Sequence, residues 1–290
     1  MDLPKLIEEF GTEDRCIEAL ANLRWPNGVT CPKCESTEIG KVTTRKLFQC
    51  NACDYQFSVR VGTVLQDSKL PLWKWFLATF LLIEAKKGMS ANQLSRTLGV
   101  TTKTGWYLCH RIRAAMDPDT SKLTGVVEAD EFYVGGTIRG KGRRYTKNKT
   151  AVMGVIERGG QVRLATSPQT HVSHKIVSDF INTHVDEEAA LYTDENQSYN
   201  RVRTTHKVVT HSHGEYVRGE VHTNTVESVW SLLDRAIIGS YHQLSAKHLP
   251  SYLDEFAFRF NNRDNSFRFR DTLIKLCSSE VLGYQELIAG

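Results

Sequence analysis

A chain of 290 residues holds one large domain with small attachments, or two domains, and 40% hydrophobic with 24% charged residues is an ordinary globular balance that excludes a disordered chain. The net charge of +4 permits a nucleic-acid partner without requiring one. The longest apolar run, Leu77–Ile83, is too short to span a bilayer, and the N-terminus has no signal core, so a soluble, cytoplasmic protein without a membrane partner is expected.

Residues 1–24 read as a short amphipathic N-terminal helix. Residues 25–60 form a cysteine module: Cys31-x-x-Cys34 and Cys50-x-x-Cys53 are separated by fifteen residues. Four thiolates at this spacing close a tetrahedral Zn²⁺ site, each pair forming a knuckle and the stretch between them a hairpin; reduced, unligated cysteines are the alternative. The total of seven cysteines, with Cys16, Cys109 and Cys277 scattered, argues against a disulfide framework. Lys33, Lys41, Arg45 and Lys46 make the module a plausible DNA contact, although a purely structural knob would look the same.

Residues 61–118 are helical in pattern, with Trp73, Trp75, Phe76 and Phe80 expected in the core. Ser90–Leu98 reads as a helix stopped at Gly99, and a second helix opens at Thr101. A helix-turn-helix places the start of its second helix in the major groove, so Thr101, Thr102 and Lys103 are candidate DNA contacts, with Arg111 and Arg113 behind them. An ordinary helical hairpin packed on the core is the competing reading. Asp117-Pro118-Asp119 then breaks the helical pattern and marks a linker.

Beyond it the period changes. Val126–Val134, Ala151–Ile156 and Gln161–Thr166 read as strands, with a hairpin at Arg158-Gly159-Gly160. A helix follows, N-capped at Ser173, then a strand Ala190–Thr193, a further strand at Val208–Thr210, and helices over Asn224–Ile237 and Ala246–Phe260. This order predicts an α/β domain with a mixed sheet over residues 123–265, leaving 266–290 as a C-terminal tail.

Three carboxylates stand out by placement: Asp130 in the first strand, Asp194 at the end of the fourth, and Glu227 on the helix from Asn224, whose opposite face is Val226, Val229, Trp230, Leu233 and Ile237. Such groups can converge on Mg²⁺, which takes oxygen ligands and keeps several waters. Strand alternation turns Glu128 to the same side as Asp130, as rival or helper, and Glu131 to the other. His206, His211, His213 and His222 crowd one region, as loop residues near DNA or as metal ligands. Arg139–Lys149, including Arg143 and Arg144, is the densest basic run, either a phosphate-contacting loop or a solvated one.

At Cys31-Pro32-Lys33-Cys34, Cys50-Asn51-Ala52-Cys53, Glu128-Ala129-Asp130-Glu131-Phe132-Tyr133-Val134-Gly135-Gly136, Tyr192-Thr193-Asp194 and His222-Thr223-Asn224-Thr225-Val226-Glu227-Ser228-Val229-Trp230, the chain resembles DDE-type insertion-sequence transposases with an N-terminal zinc ribbon, the ISXO-like branch. Gly239-Ser240-Tyr241-His242 and Arg259-Phe260-Asn261-Asn262-Arg263 extend the likeness, which runs from about residue 15 to 265. The resemblance implies an RNase H-like fold for the second half, and Asp130, Asp194 and Glu227 as the triad holding Mg²⁺ or Mn²⁺, with Asn224 and His222 as second choices for the third position. It further implies strand hydrolysis at transposon ends, attack of the freed 3′-hydroxyl on target DNA, double-stranded DNA as partner, nucleoid association when DNA is bound, and a homo-oligomer. The family's basic residue two turns after the glutamate is here Asp234, beside Arg235. A catalytically inactive DNA-binding relic is therefore one alternative, and a metal-dependent nuclease of the same fold another.

Overall fold

The computed structural model describes residues 1–117, 119–136, 148–169, 171–200, 202, 204–210 and 217–288. The chain divides into two compact units: Met1–Asp117 with Asp264–Gly290, and Pro118–Arg263. Among the described residues no helix is long and apolar enough to cross a membrane.

The first unit opens with two helices rather than one, α1 (Leu3–Phe10) and α2 (Glu13–Arg24). Gly11 ends the first, and Thr12 caps the second by accepting from the Arg15 backbone N–H, so a local stop and start override the shared amphipathic pattern. A three-stranded antiparallel sheet follows, β1 (Ile39–Val42), β2 (Leu47–Cys50) and β3 (Gln56–Phe57). Phe48 and Phe57 are buried and pack edge-on against Trp25, with ring centroids 5.7 and 6.1 Å away.

Helices α3 (Leu72–Glu84), α4 (Ala91–Leu98) and α5 (Thr102–Ala114) come next. Trp75, Phe76 and Phe80 are buried as expected, but Trp73 is exposed and stacks under Lys74. Gly99 ends α4 at φ +61°, where a side chain would be strained, and Thr101 caps α5 by accepting from the Thr104 N–H. The two helices cross closely at Gly105, because a Cβ there would overlap Ser95 Oγ.

The second unit is built on a five-stranded mixed sheet. Its strands are β4 (Val126–Val134), β5 (Thr150–Glu157), β6 (Val162–Thr166), β7 (Ala190–Thr193) and β8 (Thr205–Val208), in the order β6-β5-β4-β7-β8. β5 runs antiparallel to both β4 and β6, while β4/β7 and β7/β8 are parallel. Helix α6 (His174–His184) joins β6 to β7. A two-stranded hairpin, β9 (Val217–Arg218) and β10 (Val221–His222), precedes α7 (Asn224–Ala236), a π turn at Ile237–Tyr241, and α8 (Leu249–Asn261).

The fifth strand lies at Thr205–Val208, earlier than the expected Val208–Thr210. It is an edge strand with two exposed positions, so it carries polar residues and lacks the apolar signal of its neighbours.

Side-chain alternation splits the core in two. Val127, Ala129, Met153, Val155 and Leu191 pack with Val177, Phe180 and Ile181 of α6. On the opposite face Val152, Ile156 and Val162 pack with Val226, Val229, Trp230 and Leu233 of α7, and with Leu253 and Phe256 of α8. Helices on both faces explain why β5 is buried over six consecutive residues.

Residues 266–290, expected as a tail, carry α9 (Arg268–Ser278) and α10 (Tyr284–Ile288), and α9 packs on α2 and α3 of the first unit. Phe269 is buried there, with its ring 6.0 Å from both Phe10 and Phe76.

Candidate metal centres and the carboxylate site

Cys31, Cys34, Cys50 and Cys53 meet with all four ligand atoms within 4.8 Å of one another. The Cys34–Cys53, Cys34–Cys50 and Cys31–Cys53 sulfurs are 3.4, 3.6 and 3.7 Å apart. Thiolates on a tetrahedron of radius about 2.3 Å lie about 3.8 Å apart, so the cage has the size of a zinc site. Each knuckle closes locally: Glu35 N–H donates to Cys31 O, Cys50 N–H donates to Tyr55 O, and Glu35 and Asp54, one residue beyond each pair, both take a positive φ. The hairpin of β1 and β2 brings the knuckles together.

In the second unit, β4 presents Glu128, Asp130 and Phe132 to the α7 side, and Glu131 to the other, as alternation requires. Glu128 pairs in register with Tyr192 of β7, so two residues further along both strands Asp194 comes level with Asp130. Burial pushes the Asp130 carboxyl up to about 7, and the neighbouring charges of Asp194 and Glu131 push it the same way. Burial also raises Glu131, again with help from Asp194. Glu131 Oε2 accepts from Asn196 Nδ2 at 3.1 Å and its carboxylate from the buried Tyr199 hydroxyl, while Oε1 is buried without a hydrogen-bond partner. Asp194 Oδ1 accepts from the Asn196 N–H at 3.0 Å.

Glu131 therefore joins the site despite facing away from Asp130 on the strand. Alternation does not report it, because Asp194 at the strand end is reached from both faces. Asn196 and Tyr199 were also missed; only their closeness to Asp194 in sequence marks them.

Glu227 stands differently. It is exposed on α7, and its Oε1 accepts from Thr223 Oγ1 at 3.0 Å. Among the described residues no trio of carboxylates has ligand atoms within 4.8 Å of one another; the charges that act on Asp130 are those of Asp194 and Glu131, and Glu227 is not among them. Asn224 is exposed one turn before it. His222 turns toward Glu128, with Nδ1 3.2 Å from Oε1.

Glu128 is fully buried and fully engaged. Oε1 accepts from Arg158 Nε at 2.7 Å and Thr225 Oγ1 at 2.8 Å, and Oε2 from the backbone N–H groups of Thr225 and Val226 at 2.7 and 3.1 Å. It thus caps the first turn of α7, where unpaired N–H groups favour an anion. Arg158 extends the tie to Glu220 O and His222 O. Of the two roles open to Glu128 from sequence, helper fits this geometry. Glu128→Gln should cost about 3 kcal/mol, since it leaves Arg158 without its charge partner and weakens the cap. A urea midpoint unchanged from wild type would remove Glu128 from this role.

The candidate DNA contacts divide. Thr101, Thr102 and Lys103 are exposed at the start of α5, with Lys103 Nζ 4.5 Å from the Tyr284 ring centroid. Arg111 does not fit a phosphate contact: it is 3% exposed, donates to Gln66 O and lies over the Trp75 and Tyr107 rings. The helical turn that aims Thr102 outward rotates Arg111 into the core. Arg113 is buried as well. Arg235 is exposed and donates to Ser231 Oγ, next to exposed Asp234. Arg143 and Arg144, with most of the basic run Arg139–Lys149, lie outside the described residues, as do His211 and His213. His206 shares a 2.8 Å hydrogen bond with Thr193 Oγ1, and burial lowers its pKa.

The first unit thus carries a four-cysteine cage on a small ribbon, and the second an α/β fold in which Asp194, just past β7, comes level with Asp130 in the middle of the parallel neighbour β4. Residues 11–56 match the transposase zinc-ribbon domain, and residues 122–261 match the ISXO2-like transposase domain. An uncharacterized protein in transposable element ISH50 of Halobacterium salinarum is 31% identical over 275 residues, covering 87% of this chain and 92% of that protein. The chain belongs to the ISXO2-like transposase family with an N-terminal zinc ribbon.

Proposed function

We propose that this protein is an active DNA transposase: it hydrolyses a phosphodiester bond at each end of an insertion element and joins the freed 3′-hydroxyl to target DNA. The observation that carries the reading is the half-buried group of Asp130, Glu131 and Asp194 within the transposase domain, where the charges of Asp194 and Glu131 act on Asp130. Like charges crowded away from water are costly unless a cation joins them, and the partnerless Glu131 Oε1 is an acceptor of the kind such an ion satisfies. An oxygen-only donor set suits Mg²⁺ or Mn²⁺.

Asp130, Asp194 and, after a closing movement of its exposed side chain, Glu227 would hold the ion, with Asn224 second choice for the third place. Bound there, the ion lowers the pKa of the attacking water or hydroxyl and neutralises phosphate charge. In the first step the water oxygen bonds to phosphorus, the bond to the element's 3′ oxygen breaks, and that oxygen leaves as a hydroxyl. In the second, this 3′ oxygen attacks a target phosphate and expels the target's own 3′ oxygen. Asp130 and Asp194 are set by the β4/β7 register, and Glu227 by α7, which Glu128 caps.

An RNase H-like fold is part of the proposal. Three antiparallel strands, then two parallel ones, with the acidic residues on the first strand, the fourth strand's end and a later helix, support it. For DNA binding we propose the ribbon's Lys33, Lys41, Arg45 and Lys46, a helix-turn-helix over α4 and α5 using Thr101, Thr102 and Lys103, together with Arg143, Arg144 and Arg235. The working form is a homo-oligomer on paired ends, in the cytoplasm on nucleoid DNA. A DNA-binding relic is favoured by one observation, exposed Asp234 where the family resemblance expects a cation that holds the backbone.

The test is cleavage of a labelled duplex carrying the element's terminal repeats, with Mg²⁺, Mn²⁺ or chelator. Metal-dependent nicking at the repeat boundary supports the enzyme; binding without cleavage, at verified zinc content, supports the relic. The pH dependence of the metal requirement is also set. Proton and cation compete for Asp130, so the Mg²⁺ midpoint for cleavage should rise about tenfold per pH unit below 7 and level off above. Folding raises this carboxyl from 3.8 to about 7, so the metal-free protein should lose stability as pH climbs through that interval, and Mg²⁺ should restore it. A metal midpoint independent of pH between 5 and 8 would remove Asp130 as a ligand.

A further inference from the structure

Trp230 reads from sequence as one more apolar residue on the buried face of α7, and it does pack there, 6% exposed and stacked on Phe132 with ring centroids 5.5 Å apart. Its indole does something further. Nε1–H donates to Asp130 Oδ2 at 3.0 Å, while Oδ1 accepts from the Glu131 N–H at 2.8 Å. A rotatable carboxylate held at both oxygens has one orientation. The slot for the ring is made by Gly154, which pairs with Asp130 across β4 and β5. A Cβ at Gly154 would overlap Trp230 Cη2 and lie 2.6 Å from Cζ2. A side chain at 154 would therefore press on the indole.

We infer that Trp230, seated in the Gly154 slot, is a positioning residue that orients the Asp130 carboxylate toward its cation and couples α7 to β4 at that point. The inference rests on the proposed role of Asp130. It follows that Glu227, three residues before Trp230 on the same helix, is placed relative to Asp130 by this bond as well as by the Glu128 cap. An outer hydrogen-bond partner of a metal ligand typically sets metal affinity by about tenfold or more, by fixing the ligand's direction and basicity.

The test uses the full chain with ¹⁵N-labelled tryptophan, whose five indole N–H signals report each ring. Trp230→Phe assigns the Trp230 signal by its loss. Asp130→Asn should move that signal while the other four stay, and Mg²⁺ alone, added to wild type, should move it in a saturable way. Trp230→Phe should raise the Mg²⁺ midpoint for cleavage about tenfold, with a smaller change in the rate at saturating metal. Should Trp230→Phe fail to fold, Gly154→Ala, which displaces the ring, should give the same shift in metal midpoint. A Trp230 signal indifferent to both Asp130→Asn and Mg²⁺ overturns the inference, as does wild-type metal dependence in the folded variant. Wild-type protein that never cleaves would instead sink the proposed function, and the response of the Trp230 signal to Mg²⁺ would still decide this inference.

Discussion

Asp130→Ala is expected to abolish cleavage and strand transfer while leaving DNA binding within a factor of a few. The carboxylate lies at the centre of the cluster, hydrogen-bonded by Trp230 and charge-coupled to Asp194 and Glu131. A metal site of this kind supplies several kcal/mol to the transition state, so losing a principal ligand should lower the rate by roughly 10³-fold. The same substitution removes a buried carboxyl that is costly when ionised, so the metal-free variant should be no less stable than wild type above pH 7. Single-turnover cleavage and gel-shift affinity, measured on one preparation, separate the two effects. Residual cleavage near wild type would take Asp130 out of the mechanism; a joint loss of cleavage and binding would mean that the variant had misfolded.

Loss of the ribbon's metal should have the second large effect. Strong chelation, or Cys50→Ala, is expected to unfold residues 25–60. Phe48 and Phe57 on Trp25 are too small a core to hold three short strands without a metal, whose binding contributes about 10 kcal/mol or more. Elemental analysis should find one zinc per chain, and limited proteolysis should cut within the ribbon only after chelation. A ribbon that resists protease with no metal bound would show that the cysteines are not its main support. Cys31 and Cys50 are buried whereas Cys34 is exposed, so zinc should be lost through the Cys34 side first.

The patterns that could be read along the chain were those set by near neighbours. The two Cys-x-x-Cys knuckles, Gly99 and Thr101 around the turn between α4 and α5, and the alternation of Val126–Val134 each depend on a few adjacent residues, and each appears as expected. The single N-terminal helix divided because Gly11 and Thr12 form a stop and a cap inside a continuous apolar pattern. Arg111 was expected at a phosphate because charge suggests solvent, whereas its guanidinium lies inside the core, over the Trp75 and Tyr107 rings and donating to Gln66 O.

Sequence alone determined that this protein carries four cysteines spaced for one metal site and an α/β second half, while the transposase order of its acidic residues came from the family resemblance. It did so because ligand spacing and side-chain period are local quantities. Only the tertiary structure decided which carboxylates are neighbours, since that depends on which strands lie side by side. The β4/β7 register brings Asp194 level with Asp130 and within reach of Glu131. The packing of α7 engages Glu128 as its cap and inserts Trp230 opposite Gly154, leaving Asp130 held at both oxygens and Glu227 exposed at the surface.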